Sequence, residues 1–519
     1  MVNEARPRVN GRRNKVLRQF LALDARSLAA FRIVASLILL HDLAGRWPFV
    51  ELLYSNVGPF PDHYMLFLDP RPHFSGLFGL GTPLQVRGFF LAGFAIYLSL
   101  LVGFHTRLSQ VLALLFTLSV HTRAPMAAFG LDPMASIFLT WTLFVPLGRR
   151  WSIDAWLGRA ERSDEISSIA GLGIAVQLAG IYIFAALDKT GVTWREATAI
   201  HNTVWQDSIV KPIGLWARTF PPWLLAAASD GSKIVEFVGG VLLLSPWRMR
   251  LCRGLALLML AGLHLGIFVM IHVGGLSPIM WASYLLLVPG EAWDAMHRWL
   301  SARGESSGRV ASLLARRHGS PPTTPRPGAR LRRVEARARE VLAGVFLFDV
   351  VWSMAAVNEG IPEQWRVQHI PALRSFNDWL TVGQGWGFFS PDAPPDDGWW
   401  VIDGVTADGR HIDPLTGTTP LREIPIGYGT DRSHIDYAYT RQIRSGQWQW
   451  HVANIDAWIR RSHTMDGRSP EDAIVSYVVY NLVRDDPPMG SSTPPPWRLE
   501  RLFAGEVQPP PSPAAGGTP

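Results

Sequence analysis

Long apolar runs separated by short polar loops dominate the first two thirds of the chain. A polar, basic N-terminus ends at Arg26, and the first run, Ser27 to Ala44, has no small-residue cleavage site after it, so it reads as a retained anchor. Further runs lie near 88–104, 108–121, 131–147, 169–187, 234–246, 254–273, 275–289 and 341–357. A helical span needs about 17 to 25 residues, so the pattern predicts an all-α polytopic membrane protein with about nine transmembrane helices. Pro221 to Ala228 reads as a partial or interfacial helix, and Pro59 to Pro83, rich in Pro, Gly and Phe, as a re-entrant or surface loop.

Past residue 358 the apolar period shortens. Trp399 to Val405, an Asp408-Gly409 turn and His411 to Leu415 predict a β-hairpin. Residues 433–463 carry Trp448, Val452, Ile455 and Ile459 on one helical stripe, and Ile474 to Val483 reads as another strand. Together these predict a small α/β extracytoplasmic C-terminal domain packed through Trp386, Phe388, Phe389, Trp399 and Trp448. The resulting division is a basic cytoplasmic N-terminus (1–26), a transmembrane core (27–295), an Arg- and Pro-rich cytoplasmic linker (296–340), a last span (341–357), the outer domain (359–486) and a Pro-, Gly- and Ser-rich disordered tail (487–519).

Composition supports the membrane assignment. Of the 519 residues 48% are hydrophobic and 18% charged, whereas soluble chains carry about 25% charged residues. The single cysteine, Cys252, excludes a disulfide framework and a thiolate metal cluster. Up to residue 358 there are 36 basic and 22 acidic residues, and beyond it 13 and 20. With the N-terminus inside, nine alternating spans put 26 Lys and Arg in inner segments and 9 in outer loops, eleven of the former being arginines between Gly290 and Glu340. That is a topology signal for the inner membrane of a cell rather than a nucleic-acid face.

Ionisable side chains inside spans are costly and therefore candidates for function. They are Arg32 and Asp42 in the first span, His121, Asp132, Asp188 with Lys189, Glu236, and His264 with His272. Asp42, His121, Asp132, Lys189, Glu236 and His272 fall toward the outer leaflet, where converging helices would make a polar cavity. Each also has a structural reading: Arg32 as a helix contact, Asp42 and Glu236 as ion-pair partners, the histidines as packed core. His264 and His272 stand eight residues apart, roughly 12 Å along a helix, too far to chelate one metal side by side. No metal is expected. Lys189 stands out because only four of the 49 basic residues are lysines, and an amine can act as a base where a guanidinium cannot. Tyr182, Ala185, Ala186 and Lys189 share a helix face whose alanines leave room beside the amine for a flat substrate or a neighbouring helix.

The order of several motifs resembles a known family. Phe31-Arg32-Ile33, then Gly103-Phe104-His105-Thr106-Arg107-Leu108, then Val145-Pro146-Leu147-Gly148 with Trp151-Ser152-Ile153-Asp154, resembles the HTTM (horizontally transferred transmembrane) domain. That domain is shared by bacterial membrane proteins and the vitamin K-dependent γ-carboxylase. Ile181 to Lys189, followed by Trp194, is similar to the carboxylase signature, in which a helix ends in a lysine pair; here the pair is Asp188-Lys189. The resemblance implies Lys189 as the base that deprotonates a quinol, with His121 near but not aligned with the family's catalytic histidine. With it go a reduced quinone as cofactor and, from the converging helices noted above, a cavity lined by Tyr182, Asp188, Glu236, His264, His272, Asp132 and Asp42. Gly385 to Pro391 resembles a tail found on some bacterial members.

Two functions remain open at this point. One is a quinol-dependent, carboxylase- or epoxidase-like enzyme acting on an outer-side peptide or protein. The other is a non-catalytic membrane protein that binds a lipid or quinone and an outer-side partner. Both contact membrane lipid, and neither needs nucleic acid. The charge distribution generates one test: a reporter fused after Met489 should be active only when exported, and a cytoplasmic-type signal would require an even number of spans.

Overall fold

Capping chemistry sets where the helices begin. The computed structural model describes residues 16–67, 71, 73–159, 163–303, 312–316, 329–427, 452–465, 473–491 and 493–507; the expected anchor residue Trp448 and the Pro-rich stretch at 320–327 lie outside them. Strand β1 (Ala22–Asp24) ends in Asp24, which caps α1 (Ala25–Arg46) by accepting the Arg26 N–H and binding the Arg26 guanidinium. Helix α2 (Pro83–Val102) opens with a Thr82/Gln85 capping box and stops at Gly103, whose φ of +67° suits glycine. Helix α3 (Thr106–Arg123) is started by Asp154, which accepts from the Thr106 amide and hydroxyl. The buried Arg32 fixes this corner by donating to the carbonyls of Leu100, Leu101 and Trp151, so it is a helix contact and cation at a helix C-terminus.

Then follow α4 (Leu131–Thr142), β2 (Glu165–Ser167), which pairs antiparallel with β1, α5 (Ile169–Leu187), α6 (Pro222–Leu243), α7 (Met249–Met270), α8 (Leu276–Leu285), α9 (Gly290–Ser301), α10 (Ala329–Val357) and α11 (Pro371–Leu380). Helices α5 and α10 run parallel. Glu340 accepts the Ile169 amide at one end, Met354 packs on Gly180 midway, and Asp188 accepts the Gly360 amide at the other. The bundle thus has a basal end, with β1 and β2, and a distal end, where residues 358 onward begin.

Five helices among the described residues are long and apolar enough to cross a bilayer: α1 with its extension to Tyr54, α2, α5, α7 and α10. Nine spans are not reached by this measure. At 12 and 10 residues, α4 and α8 rise only about 18 and 15 Å. Nearly every residue of α4 is buried in protein, which is where a short helix at membrane depth is tolerated.

Beyond α10 the chain builds a four-stranded antiparallel sheet in the order β4-β3-β5-β6, from β3 (Asp396–Thr406), β4 (His411–Ile412), β5 (Ile474–Asp485) and β6 (Arg498–Glu506). The expected hairpin is β3 and β4, turning at Gly409 with φ +84°. The tail expected to be disordered from residue 487 instead supplies β6, paired with β5 from Val483↔Arg498 to Ser476↔Glu506. Its Pro and Gly content flanks that strand and masked it. Helix α12 (Val452–Met465) sits by β5, where the Tyr477 hydroxyl donates to Asp456.

The expected aromatic core is shared with the membrane half. Trp399 and Val401 pack with Ile209, Ile271 and Val273, while Trp386 belongs to the core of the helical bundle. Polar contacts hold the same seam. Asp207 pairs with Arg484 and Arg218 at 2.7 and 2.6 Å, the Ser208 amide and hydroxyl donate to Asp397, and His201 Nε2 bonds the Pro487 carbonyl at 2.7 Å.

At this seam burial, reinforced by Asp397 and Asp396, pushes the Asp486 carboxyl up to about 8. A carboxyl raised in the folded state stays protonated there while the unfolded chain has already ionised. Stability of the docked domain should therefore fall as pH rises from about 4 and level off above about 8. Asp486→Asn should flatten that profile in a thermal-midpoint series, and an unchanged slope would refute the assignment.

Candidate functional site

Helix α5 carries Tyr182 and Ala185 on one face, and Lys189, just past its Asp188 cap, continues that face by donating back to the Ala185 carbonyl. Helix α6 approaches closely at Gly240, where a Cβ would sit 2.9 Å from the Ala179 carbonyl. One turn before, Glu236 reaches Lys189, its Oε2 accepting from Nζ at 2.7 Å. The ammonium also donates to the Ala185 carbonyl at 3.0 Å and lies 5.1 Å from the centre of the Trp194 ring. Lys189 and Glu236 are both buried, so this is a desolvated pair, each charge depending on the other.

These groups line a cavity of about 620 Å³ enclosed by α5, α6, α7, the start of α8 and the short helix Ala199–Trp205. The volume falls in the range of small-molecule sites, and the wall is mostly apolar with few polar groups. Gly231, Gly262 and Gly266 line it with nothing within 4 Å of a Cβ placed on them, leaving flat open wall. Nearer the middle of α5, the Tyr182 hydroxyl bonds His264 Nε2 at 2.8 Å and also the Tyr284 hydroxyl, while His264 Nδ1 meets Ser277 Oγ at 3.2 Å. Phe388 and Phe389, from the Gly385 to Pro391 segment, cover the distal side. Trp194 Nε1 donates to the Phe389 carbonyl at 2.6 Å and ties this cover to the Lys189 wall.

Of the expected cavity residues, Tyr182, Lys189, Glu236 and His264 meet here. Asp188 does not: its carboxylate accepts the Gly360 amide at 2.5 Å, on the side facing the end of α10. His272 is half-buried beside this wall but not among its lining residues; its backbone amide donates to Ile209 O at 2.7 Å. Asp42, His121 and Asp132 belong to a second cluster built around the buried Arg46. That guanidinium binds Asp42 and Asp132, both at 2.7 Å, and the Tyr54 hydroxyl at 2.8 Å, and His121 Nε2 meets Asp132 at 2.5 Å. The reason is electrostatic. Arg46, not singled out in the sequence, gathers the carboxylates needed to neutralise it, and His121 goes with them. The four-residue spacing of Asp42 and Arg46 on one helix was the available signal. Tyr284 and Ser277 also went unnoticed, their link to His264 being long-range.

A family model described as the HTTM domain matches residues 20–293. No curated protein and no solved structure matches the chain.

The geometry makes a stability prediction independent of any activity. Lys189→Ala should strand the Glu236 carboxylate and cost roughly 3 to 5 kcal/mol, whereas Lys189→Arg, which keeps a cation in reach, should cost much less. Thermal midpoints of the detergent-solubilised variants read this directly, and an alanine variant as stable as the parent would refute the buried pair.

Proposed function

Since the chain belongs to the HTTM domain family and, among the described residues, carries five helices long and apolar enough to cross a membrane, we propose that it is a quinol-dependent membrane enzyme whose substrate cavity is the one beside Lys189. The observation that carries this reading is the Lys189–Glu236 pair set into the wall of an otherwise apolar cavity of about 620 Å³. Such a wall accepts a flat, lipid-borne ring, and the pair offers it one polar, proton-handling end.

The pair also supports a route to a neutral amine. A proton passing from Nζ to Glu236 along the 2.7 Å hydrogen bond leaves an amine and a carboxylic acid with no change in net charge. The amine nitrogen then accepts a proton from a quinol hydroxyl. In the family reading the quinol, oxidised by oxygen, supplies the strong base that acts on an outer-side substrate. Tyr182 and His264, hydrogen-bonded to each other, orient the far edge of the ring, and Phe388 and Phe389 keep water from the distal side. The basal end carries Arg107, Arg149, Arg250 and Arg298, which fits a cytoplasmic basal end, a nine-segment path and an exported C-terminal domain. Binding of a quinone or lipid without turnover is the second reading, favoured by the same ion pair, because it holds the amine as a cation in the resting site.

The two readings separate in one experiment. Quinone extracted from purified protein should be lost on Gly262→Leu, which fills open wall, and retained on Lys189→Arg. Quinol-dependent epoxide formation should be abolished in both variants, in Gly262→Leu because the ring no longer fits and in Lys189→Arg because a guanidinium does not deprotonate. Turnover retained in Lys189→Arg would end the base assignment, and parent turnover absent with quinone bound would leave the binding protein.

A further inference from the structure

The basal end holds a second and larger crevice, of about 1050 Å³, between the start of α3, the 144–149 turn, β2 and the first turns of α10. Five arginines line it: Arg107, Arg149, Arg159, Arg337 and Arg339. The acids near them are largely committed. Asp154 accepts from the Thr106 amide and hydroxyl and the His105 amide and lies 3.8 Å from Arg159, Glu340 accepts the Ile169 amide at 2.7 Å, and Arg107 spends one N–H on the Leu143 carbonyl, so Arg337 and Arg339 carry most of the unneutralised charge. Glu335 offsets Arg107 in part, but the Arg107 and Arg339 guanidinia lie close enough to repel each other. The crevice is therefore an electropositive cleft walled on several sides by fork-shaped donors suited to phosphate oxygens.

Its other wall is apolar. Leu108, Phe144 and Val341 line the same crevice. Above them α3 exposes Leu112 and Leu115, and α10 exposes Val345 and Phe348, one and two turns farther into the span. Phe144 packs on Phe346 at 6.2 Å between ring centres, closing the floor between the two helices. A basic mouth at the end of a span, with exposed apolar side chains on α3 and α10 one and two turns farther in, has the two chemistries of a phospholipid in the order that a bilayer presents them.

We propose that this crevice holds the phosphodiester headgroup of an anionic membrane phospholipid, with its acyl chains lying along the exposed faces of α3 and α10. The headgroup relieves the repulsion between Arg107 and Arg339 and bridges α10 to the α3 end of the bundle. A free phosphate would satisfy the arginines but leave the exposed apolar faces of α3 and α10 unused.

The test uses the full-length protein. Native mass spectrometry after exchange into mixed phosphatidylcholine and phosphatidylglycerol micelles should show phosphatidylglycerol retained in preference to phosphatidylcholine. Arg337→Gln with Arg339→Gln should weaken that retention roughly 20- to 30-fold, because each basic side chain near an anionic surface contributes on the order of fivefold. A control pair at the same end but outside the crevice, Arg298→Gln with Arg303→Gln, should change it little. Thermal midpoints in neutral detergent verify that both pairs fold. Equal retention of the two lipids, equal loss in the control pair, or displacement of phosphatidylglycerol by millimolar inorganic phosphate would each overturn the proposal, the last by making the site one for free phosphate.

Discussion

A cation buried among apolar helices needs a counter-charge or a set of acceptor oxygens brought to it. At membrane depth an unpaired charge costs several kcal/mol, so each buried cation fixes the helices that carry its partners. Arg46 draws Asp42 and Asp132 together and with them α1 and α4, His121 of α3 joining through Asp132. Lys189 draws Glu236 and ties α5 to α6. Arg26, at the basal end, holds Asp24 and Asp294 and so α1 to α9. Arg32 has no carboxylate bound and makes do with three carbonyl oxygens at a helix end. The bundle is organised by where these charges could be neutralised as much as by its apolar faces.

The two distal clusters differ in what lies beside them. Around Arg46 the partners close in from three helices, Ser136 bonds on to Thr381, and the cavity beside Lys189 does not reach the cluster. Around Lys189 the partners come from one side, and the other side is open wall. The same interaction thus stands packed on all sides in one place and at the polar edge of an apolar cavity in another. The distinction lies in the small residues nearby, Ala185, Gly262 and Gly266, which decline to fill the space.

What was legible in the sequence was local. The apolar runs that became α1, α2 and α5, the hairpin at Asp408-Gly409 and the shared face of Tyr182, Ala185 and Lys189 follow from spacing and turn chemistry over a few residues, while the caps at Asp24 and Thr82 set the actual starts a few residues earlier than the runs. What was not legible depended on pairing across the chain. Nothing near Asp132 announces Arg46, 86 residues away, and nothing near Tyr182 announces Tyr284. The C-terminal domain illustrates the same limit. Its alternation revealed β3 and β5, but Trp399 packs against Ile209 and Ile271, so its core is completed by loops of the membrane half, and Phe388 and Phe389 serve as a cover for the cavity.

The consecutive pair Asp188-Lys189 shows how helix geometry separates neighbours in chemistry. Successive residues on a helix point about 100° apart, and α5 ends at Leu187, with Asp188 as its cap. Lys189 faces α6 and Glu236, while Asp188 faces the end of α10 and accepts the Gly360 amide. An ammonium at position 188 could not accept that hydrogen bond, because it offers only donors. The departure from a lysine pair is therefore matched by a local need of this chain, the docking of the segment that follows α10. It need not be read as a change in the cavity, whose cation and carboxylate come from residues 189 and 236. Within the proposed function, the acid beside the base is a structural cap, and the electrostatics of the amine are governed by Glu236, which touches it at 2.7 Å.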